Sequence, residues 1–301
     1  MKINALKIPH SSILIPQLLK IAAASVFAGR AYQHLFWDAP YREFLWDDQL
    51  MKPIIELLTP WTWHEYVTNL AVDAIIVNVM IGIGIYFSIC AIGCLFYEKM
   101  PKWFRWVIWV GVVWLVIIAL MYMKEIFYHA GQFFEYTLQF AAPVFLLAFY
   151  KNADGKEIVS HRLLLAMKWA TALTFACHGL YAIGYYPRPG VFTGMTMLIL
   201  HCSESFAVNF LTVAGWLDFA IALGIFLPWK WAKWFLLYAA FWGMATSIAR
   251  VWGNFYVEFP LQSLHEWAYH MVYRLPHGLI PLVIYLILKS QEQKQSSVVG
   301  D

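Results

Sequence analysis

The chain has 301 residues, of which 61% are hydrophobic, 18% aromatic and 13% charged. A soluble domain carries about 25% charge, so an ordinary water-soluble fold is excluded. The net charge of +3 gives no reason to expect nucleic acid, and four cysteines without a Cys-x-x-Cys argue against membrane dithiol exchange.

In chain order, apolar runs predict eight helices, roughly 14–36, 66–97, 103–123, 132–150, 163–186, 205–227, 231–250 and 269–288. About 20 residues cross the hydrocarbon of a bilayer, and helices or closed barrels are the structures that satisfy the backbone there. The first run carries Arg30 and His34 on one face. Val26 and Ala28 ahead of Gly29 look like a signal-peptide cleavage site, but Pro16 and Lys20 interrupt the apolar stretch and argue against removal. The following loop is acidic, with Asp38, Glu43, Asp47, Asp48, Glu56 and Glu65. The second run holds Asn69, Asp73 and Asn78, then Cys90 and Cys94. Gln132, Glu135 and Gln139 share a face of the fourth. Cys177 and His178 lie in the fifth, Glu204 opens the sixth, Asp218 is its deepest carboxylate, and Arg250 ends the seventh. On the eighth, His270, Arg274 and His277 are spaced i, i+4, i+7 and so share one face. The last ten residues are polar and are expected to be disordered.

The loops set the orientation. Lys2 and Lys7, then Lys99, Lys102 and Arg105, then Lys151, Lys156 and Arg162, then Lys230 and Lys233, then Lys289 and Lys294 alternate with acidic or mixed connections. By the positive-inside rule both termini are cytoplasmic, in a multi-pass protein of the bacterial inner membrane. On this reading His34, His64, His129, His178, His201, His265, His270 and His277 gather at the outer side, and only His10 and His161 lie inside. The tryptophans near helix ends read as aromatic belts.

The two halves resemble one another. Lys20, Phe27 and Ala28 match Lys168, Phe175 and Ala176, and Arg30 falls on His178. Asn69, Asn78 and Gly84 fall on Asn209, Asp218 and Gly224. Lys102-Trp103-Phe104 repeats as Lys233-Trp234-Phe235, and Pro143 as Pro281, with Gln132 and Gln139 on His270 and His277. The expected fold is an all-α transmembrane bundle of two parallel four-helix repeats, 1–151 and 152–290, with a tail at 291–301.

Each half is similar to the DoxX/DoxD-like integral membrane superfamily. The likeness rests on Phe27-Ala28-Gly29-Arg30-Ala31-Tyr32 and Phe175 to Tyr181 at the ends of the first helices. It also rests on the polar residue ahead of Leu/Ile-Gly-Ile in the second helices, at Asn78 to Ile85 and Asp218 to Ile225. The horizontally transferred transmembrane family, related to vitamin K-dependent carboxylase, has a similar helical pattern. The DoxX resemblance implies a role in quinone-linked redox chemistry, with electrons supplied by a partner subunit.

Charged groups inside a membrane usually face the bundle interior or a watered cavity. The polar stripes therefore suggest an outward-facing pocket for a quinone or small anionic substrate. His178 and His277 would hydrogen-bond a carbonyl and pass protons, with Asp218 as relay. Arg30, His34, Glu135, Glu204, Arg250, His270 and Arg274 would bind the substrate. The chain would then serve in a quinone-linked oxidoreductase; the alternative is a non-enzymatic scaffold or a carrier of a lipid or small solute. No metal site is expected: His265 and His270 are five apart, not the four that puts two histidines on one helical face. Bis-histidine haem, for which His178 and His277 are the best pair, is not demanded by any spacing. Cys177 and Cys202 could pair if the chain folds back between them.

Overall fold

In a helix that is apolar on every face, packing decides which side is buried. The second long apolar run shows this in the computed structural model, which describes residues 5–8, 14–151 and 157–299. Val72, Ile76, Met80, Ile83, Phe87, Cys90 and Cys94 turn inward at helical spacing, while Ile75, Val79, Ile85, Ile89 and Ile92 are exposed. The exposed stripe fits hydrocarbon rather than water.

The described chain is helical apart from one small sheet. Its long helices before the C-terminal pair are α1 (Leu14–Phe36), α5 (Leu70–Leu95), α6 (Phe104–Glu125), α9 (His161–Ile183), α11 (Glu204–Gly224) and α12 (Trp229–Trp252). The acidic loop after α1 contains α2 (Arg42–Leu45), α3 (Asp48–Leu58) and α4 (Trp63–Thr68). Between α6 and α9 run α7 (Ala130–Glu135) and α8 (Thr137–Ala148); α10 (Gly190–Leu200) lies between α9 and α11. The chain closes with α13 (Pro260–Val272) and α14 (Pro276–Val299). Six helical segments are long and apolar enough to cross a membrane: 14–36, 70–95, 104–125, 161–183, 204–224 and a stretch within 260–293. The chain is therefore an all-α membrane protein.

Three short strands add a sheet in the order β1 (Ala5–Ile8), β3 (Glu157–Ser160), β2 (Tyr150–Lys151). β1 runs antiparallel to β3, with Ala5 opposite Ser160 and Ile8 opposite Glu157. Ser160 then caps α9, its hydroxyl accepting from the Leu163 N–H at 3.1 Å.

The helices pack in corresponding pairs. α1 lies on α5 as α9 lies on α11; α6 meets α8 as α12 meets α14; α1 touches α8 and α14, and α9 touches α14 and α8. Four glycines mark close approaches at corresponding places in the two pairs. A Cβ on Gly84 would fall 3.0 Å from the Cβ of His34 and 2.9 Å from Leu35; one on Gly215 would fall 3.1 Å from the Cβ of Ala182 and 2.7 Å from Ile183. A Cβ on Gly93 would strike the Phe104 ring, and one on Gly224 the Phe235 ring.

Several expectations change in detail. The predicted fourth helix is two helices meeting at Tyr136, and the predicted eighth is interrupted between Val272 and Pro276. His270, Arg274 and His277 therefore do not share one continuous helical face: His270 ends α13, Arg274 lies in the break, and His277 is on α14. The residue before a proline avoids the α region, and Pro276 sits at the start of α14. Far from being a coil, most of the polar C-terminal segment continues α14 to Val299, since Gln, Glu and Lys are good helix formers. Asn69 is the N-cap of α5, accepting from the Ala71 N–H at 2.9 Å, and Asn78 and Asn209 are exposed. All four cysteines are free.

Candidate functional site

The two helix breaks organise the polar interior. A break frees backbone groups that nothing in lipid can satisfy, so neighbouring side chains must do so. At the first, the Leu138 N–H donates to Thr174 Oγ1 of α9 at 3.1 Å. At the second, the Arg274 carbonyl accepts from Ser247 Oγ of α12 at 3.1 Å and from His277 Nδ1–H at 2.8 Å. Gly243 makes this approach possible: a Cβ there would fall 2.3 Å from the His277 carbonyl oxygen, closer than atoms can pack.

Arg30 is 2% exposed and sits between the breaks in a cage. Its guanidinium donates to Gln33 Oε1 and Gln139 Oε1, each at 2.8 Å, and to the Tyr122 hydroxyl at 3.4 Å. It lies 4.1 Å from the ring centre of Tyr273 and 5.2 Å from those of Tyr122 and Tyr136. Such contacts stabilise a desolvated cation by about 2 kcal/mol. The Gln33 amide in turn donates to Tyr122 at 2.6 Å and to the Asp38 carbonyl at 2.9 Å. The cage draws on α1, α6, α8, the Tyr136 junction and the second break.

His34, wholly buried, is part of the same packing. The Arg30 carbonyl, 2.6 Å from Nδ1, can only accept, so Nδ1 carries the proton and Nε2 accepts from the Tyr41 hydroxyl at 3.0 Å. Both ring nitrogens thus have partners.

Beyond the cage, Arg274 NH2 lies 3.5 Å from Glu135 Oε1, while Arg274 NH1 has no hydrogen-bond partner. His270 stacks on Tyr269 at 4.2 Å, and its Nδ1 is 2.6 Å from the Tyr273 hydroxyl. Glu204 stands apart from this group, exposed in the first turn of α11, where a carboxylate favours the helix N-terminus.

In the second half, His178 Nδ1 and Asp218 Oδ2 are 2.8 Å apart, and Asp218 is completely buried. The carboxylate fixes the imidazole with Nδ1–H toward it, leaving Nε2 for a ligand. His178 lines a cavity of about 510 Å³ between α9, α10, α11 and α12, within the roughly 300–1,000 Å³ of small-molecule sites. The walls are chiefly apolar, among them Phe192, Met195, Phe210, Ala214 and Met244. Leu200, Phe241, Ile248 and Trp252 line its rim and are exposed, so the cavity opens sideways on the apolar surface. Arg250 also lines it: 8% exposed, over the Phe192 ring at 5.4 Å, with Nε unpartnered.

The structure thus gathers Arg30, Glu135, His270, Arg274 and His277 around the breaks, with His34 beside them, and His178, Asp218 and Arg250 at the cavity. Sequence reasoning missed Tyr122, Tyr136 and Tyr273, which carry most of the cage; in a chain with 17 tyrosines nothing local separates these three from interfacial ones. Among the described residues no three His, Cys, Asp or Glu side chains converge as a metal site would require. Compared with models of known families, with curated proteins and with solved structures, the chain matches none.

Proposed function

We propose that the chain is an eight-crossing membrane protein of two parallel four-helix units, DoxX-like in kind, with both termini cytoplasmic in a bacterial inner membrane. Its second unit binds a hydrophobic ligand bearing a carbonyl or anionic group. The paired helix contacts support the duplication, and so do the two breaks, in the fourth helix of each unit. The glycines support a different register for the second helices: Gly84 answers to Gly215 and Gly93 to Gly224, because their neighbours His34 and Leu35 answer to Ala182 and Ile183, and Phe104 to Phe235. Asn78, exposed, then no longer answers to buried Asp218.

The observation that carries the binding reading is the apolar cavity with two ionisable groups in its wall, His178 and Arg250. A quinone suits it: with Nδ1–H held by Asp218, the imidazolium form of His178 has Nε2–H free to donate to a carbonyl, and Asp218 stabilises that form and holds the ring in place. In that role the chain serves a quinone-linked oxidoreductase whose electrons come from a partner subunit. The sideways opening favours a second reading, a carrier that takes its ligand from the bilayer.

Trp242 and Trp252 line the cavity and report on it. Titrating the purified protein with decylubiquinone is expected to quench tryptophan fluorescence saturably, and Ala245→Phe, which fills the cavity, is expected to abolish this. Quenching that never saturates, or is unchanged in Ala245→Phe, overturns quinone binding here. Reduction of the bound quinone by membrane extracts separates the redox role from the carrier.

A further inference from the structure

The buried charges do not balance. Arg30, Arg250 and Arg274 are positive, and Glu135 and Asp218 are the carboxylates beside them. Arg274 has Glu135, and Asp218 has His178. Arg30 is enclosed by side-chain oxygens and aromatic faces. Wherever the proton sits between His178 and Asp218, the group carries more positive charge than negative, and the arginine with neither a hydrogen-bonding acceptor nor an ion-pair partner is Arg250, in the cavity wall. A buried, unpaired cation is costly, so a ligand that supplies a negative charge there gains more than a neutral one of equal shape.

We propose that the natural occupant is a single-tailed amphiphile with an anionic head, carboxylate or phosphate. Its head lies against Arg250 with His178 beside it, and its hydrocarbon tail leaves past Phe241 and Trp252 into the bilayer. This rests on the cavity being a binding site, and narrows its ligand. A neutral quinone satisfies His178 but leaves Arg250 alone. The exposed apolar rim suits a tail and not a water-borne metabolite.

The test uses the full-length protein in phosphatidylcholine nanodiscs and two photoreactive probes, a diazirine-bearing palmitate and the matching neutral hexadecanol. Palmitate is expected to label peptides of α10 and α12, and unlabelled palmitate to compete it away. Arg250→Gln is expected to lower palmitate labelling by about tenfold and to leave labelling by the alcohol unchanged, which also shows that the variant is folded. Arg250→Lys keeps the preference for the acid, and Ala245→Phe loses both probes. Equal labelling by acid and alcohol, or palmitate labelling that survives Arg250→Gln, overturns the anionic head while the cavity still binds. If neither probe labels the cavity, and decylubiquinone does not quench, the binding reading itself fails. Phosphatidylglycerol in the nanodisc identifies the source of the anion: displacement of the probe points to membrane phospholipid, persistence to a free acid, and both support the shared chemistry.

Discussion

Arg30 and Arg250 are both buried cations in one helical bundle, and their surroundings differ completely. Around Arg30 the chain supplies two glutamine oxygens, a tyrosine hydroxyl and three aromatic faces. Around Arg250 it supplies a phenylalanine ring and a cavity wall, with Arg274, Glu135, Tyr136 and Tyr273 within electrostatic range but no hydrogen-bond acceptor. A charge whose neighbours are all provided holds the fold together; one left facing a cavity waits for something to fill it. The Arg30 cage is therefore satisfied from within the fold, although its residue types looked as functional as those at the cavity.

That contrast can be broken at several points. The largest effect is expected from Arg30→Met, which leaves Gln33, Gln139 and Tyr122 without their shared donor. The loss is about 3 kcal/mol or more, seen as a collapsed melting temperature or aggregation on size exclusion in detergent. Arg250→Met is expected to leave the melting temperature unchanged or to raise it, because an uncompensated buried charge is removed. If the two variants melt alike, the division between fold and site is wrong. Next comes Gly243→Val, which forces α12 off the second break and costs about 1–3 kcal/mol by overpacking, read in the same melt. Thr174→Ala strands the Leu138 N–H at the first break, and a loss of about 1 kcal/mol is expected; deuterium uptake across Tyr136–Gln139 should rise in step.

The smallest effect lies outside the bundle. Lys124 donates to Asp47 at 2.7 Å, and with the Leu50 N–H it holds that carboxyl below its ordinary value. The support given to α3 is thus complete above about pH 4 and is lost as pH falls through the depressed value. Deuterium uptake over Asp48–Leu58, corrected for intrinsic exchange, is expected to stay flat down to about pH 4 and to rise below it. Asp47→Asn should remove the pH dependence.

The spans were legible because long apolar runs mean the same thing wherever they fall: the first reaches from Leu14 to Phe36, as its hydropathy predicts. Arg30, His178 and Arg250 were legible as polar groups in apolar surroundings. Which of them had partners was not, since the partners of Arg30 lie 92 or more positions away at Tyr122 and Gln139, apart from Gln33 one turn on. The breaks differ between themselves. Pro276 announces the second in the sequence, whereas Tyr136 gives no local sign and relies on Thr174 from another helix. α10 falls between the predicted fifth and sixth helices, its 11 residues being too few to span, yet it forms one wall of the cavity.

The small sheet bears on how the protein is made. Ala5 pairs with Ser160, so β1 leaves the ribosome roughly 150 residues ahead of its partner, a wait of about 8–30 s at 5–20 residues per second. Throughout that interval β1 is without β3, the strand it pairs with, while the apolar helices α1, α5 and α6 are made. Its closure coincides with the arrival of α9, so the strand clasps the two halves together only once translation has reached the second.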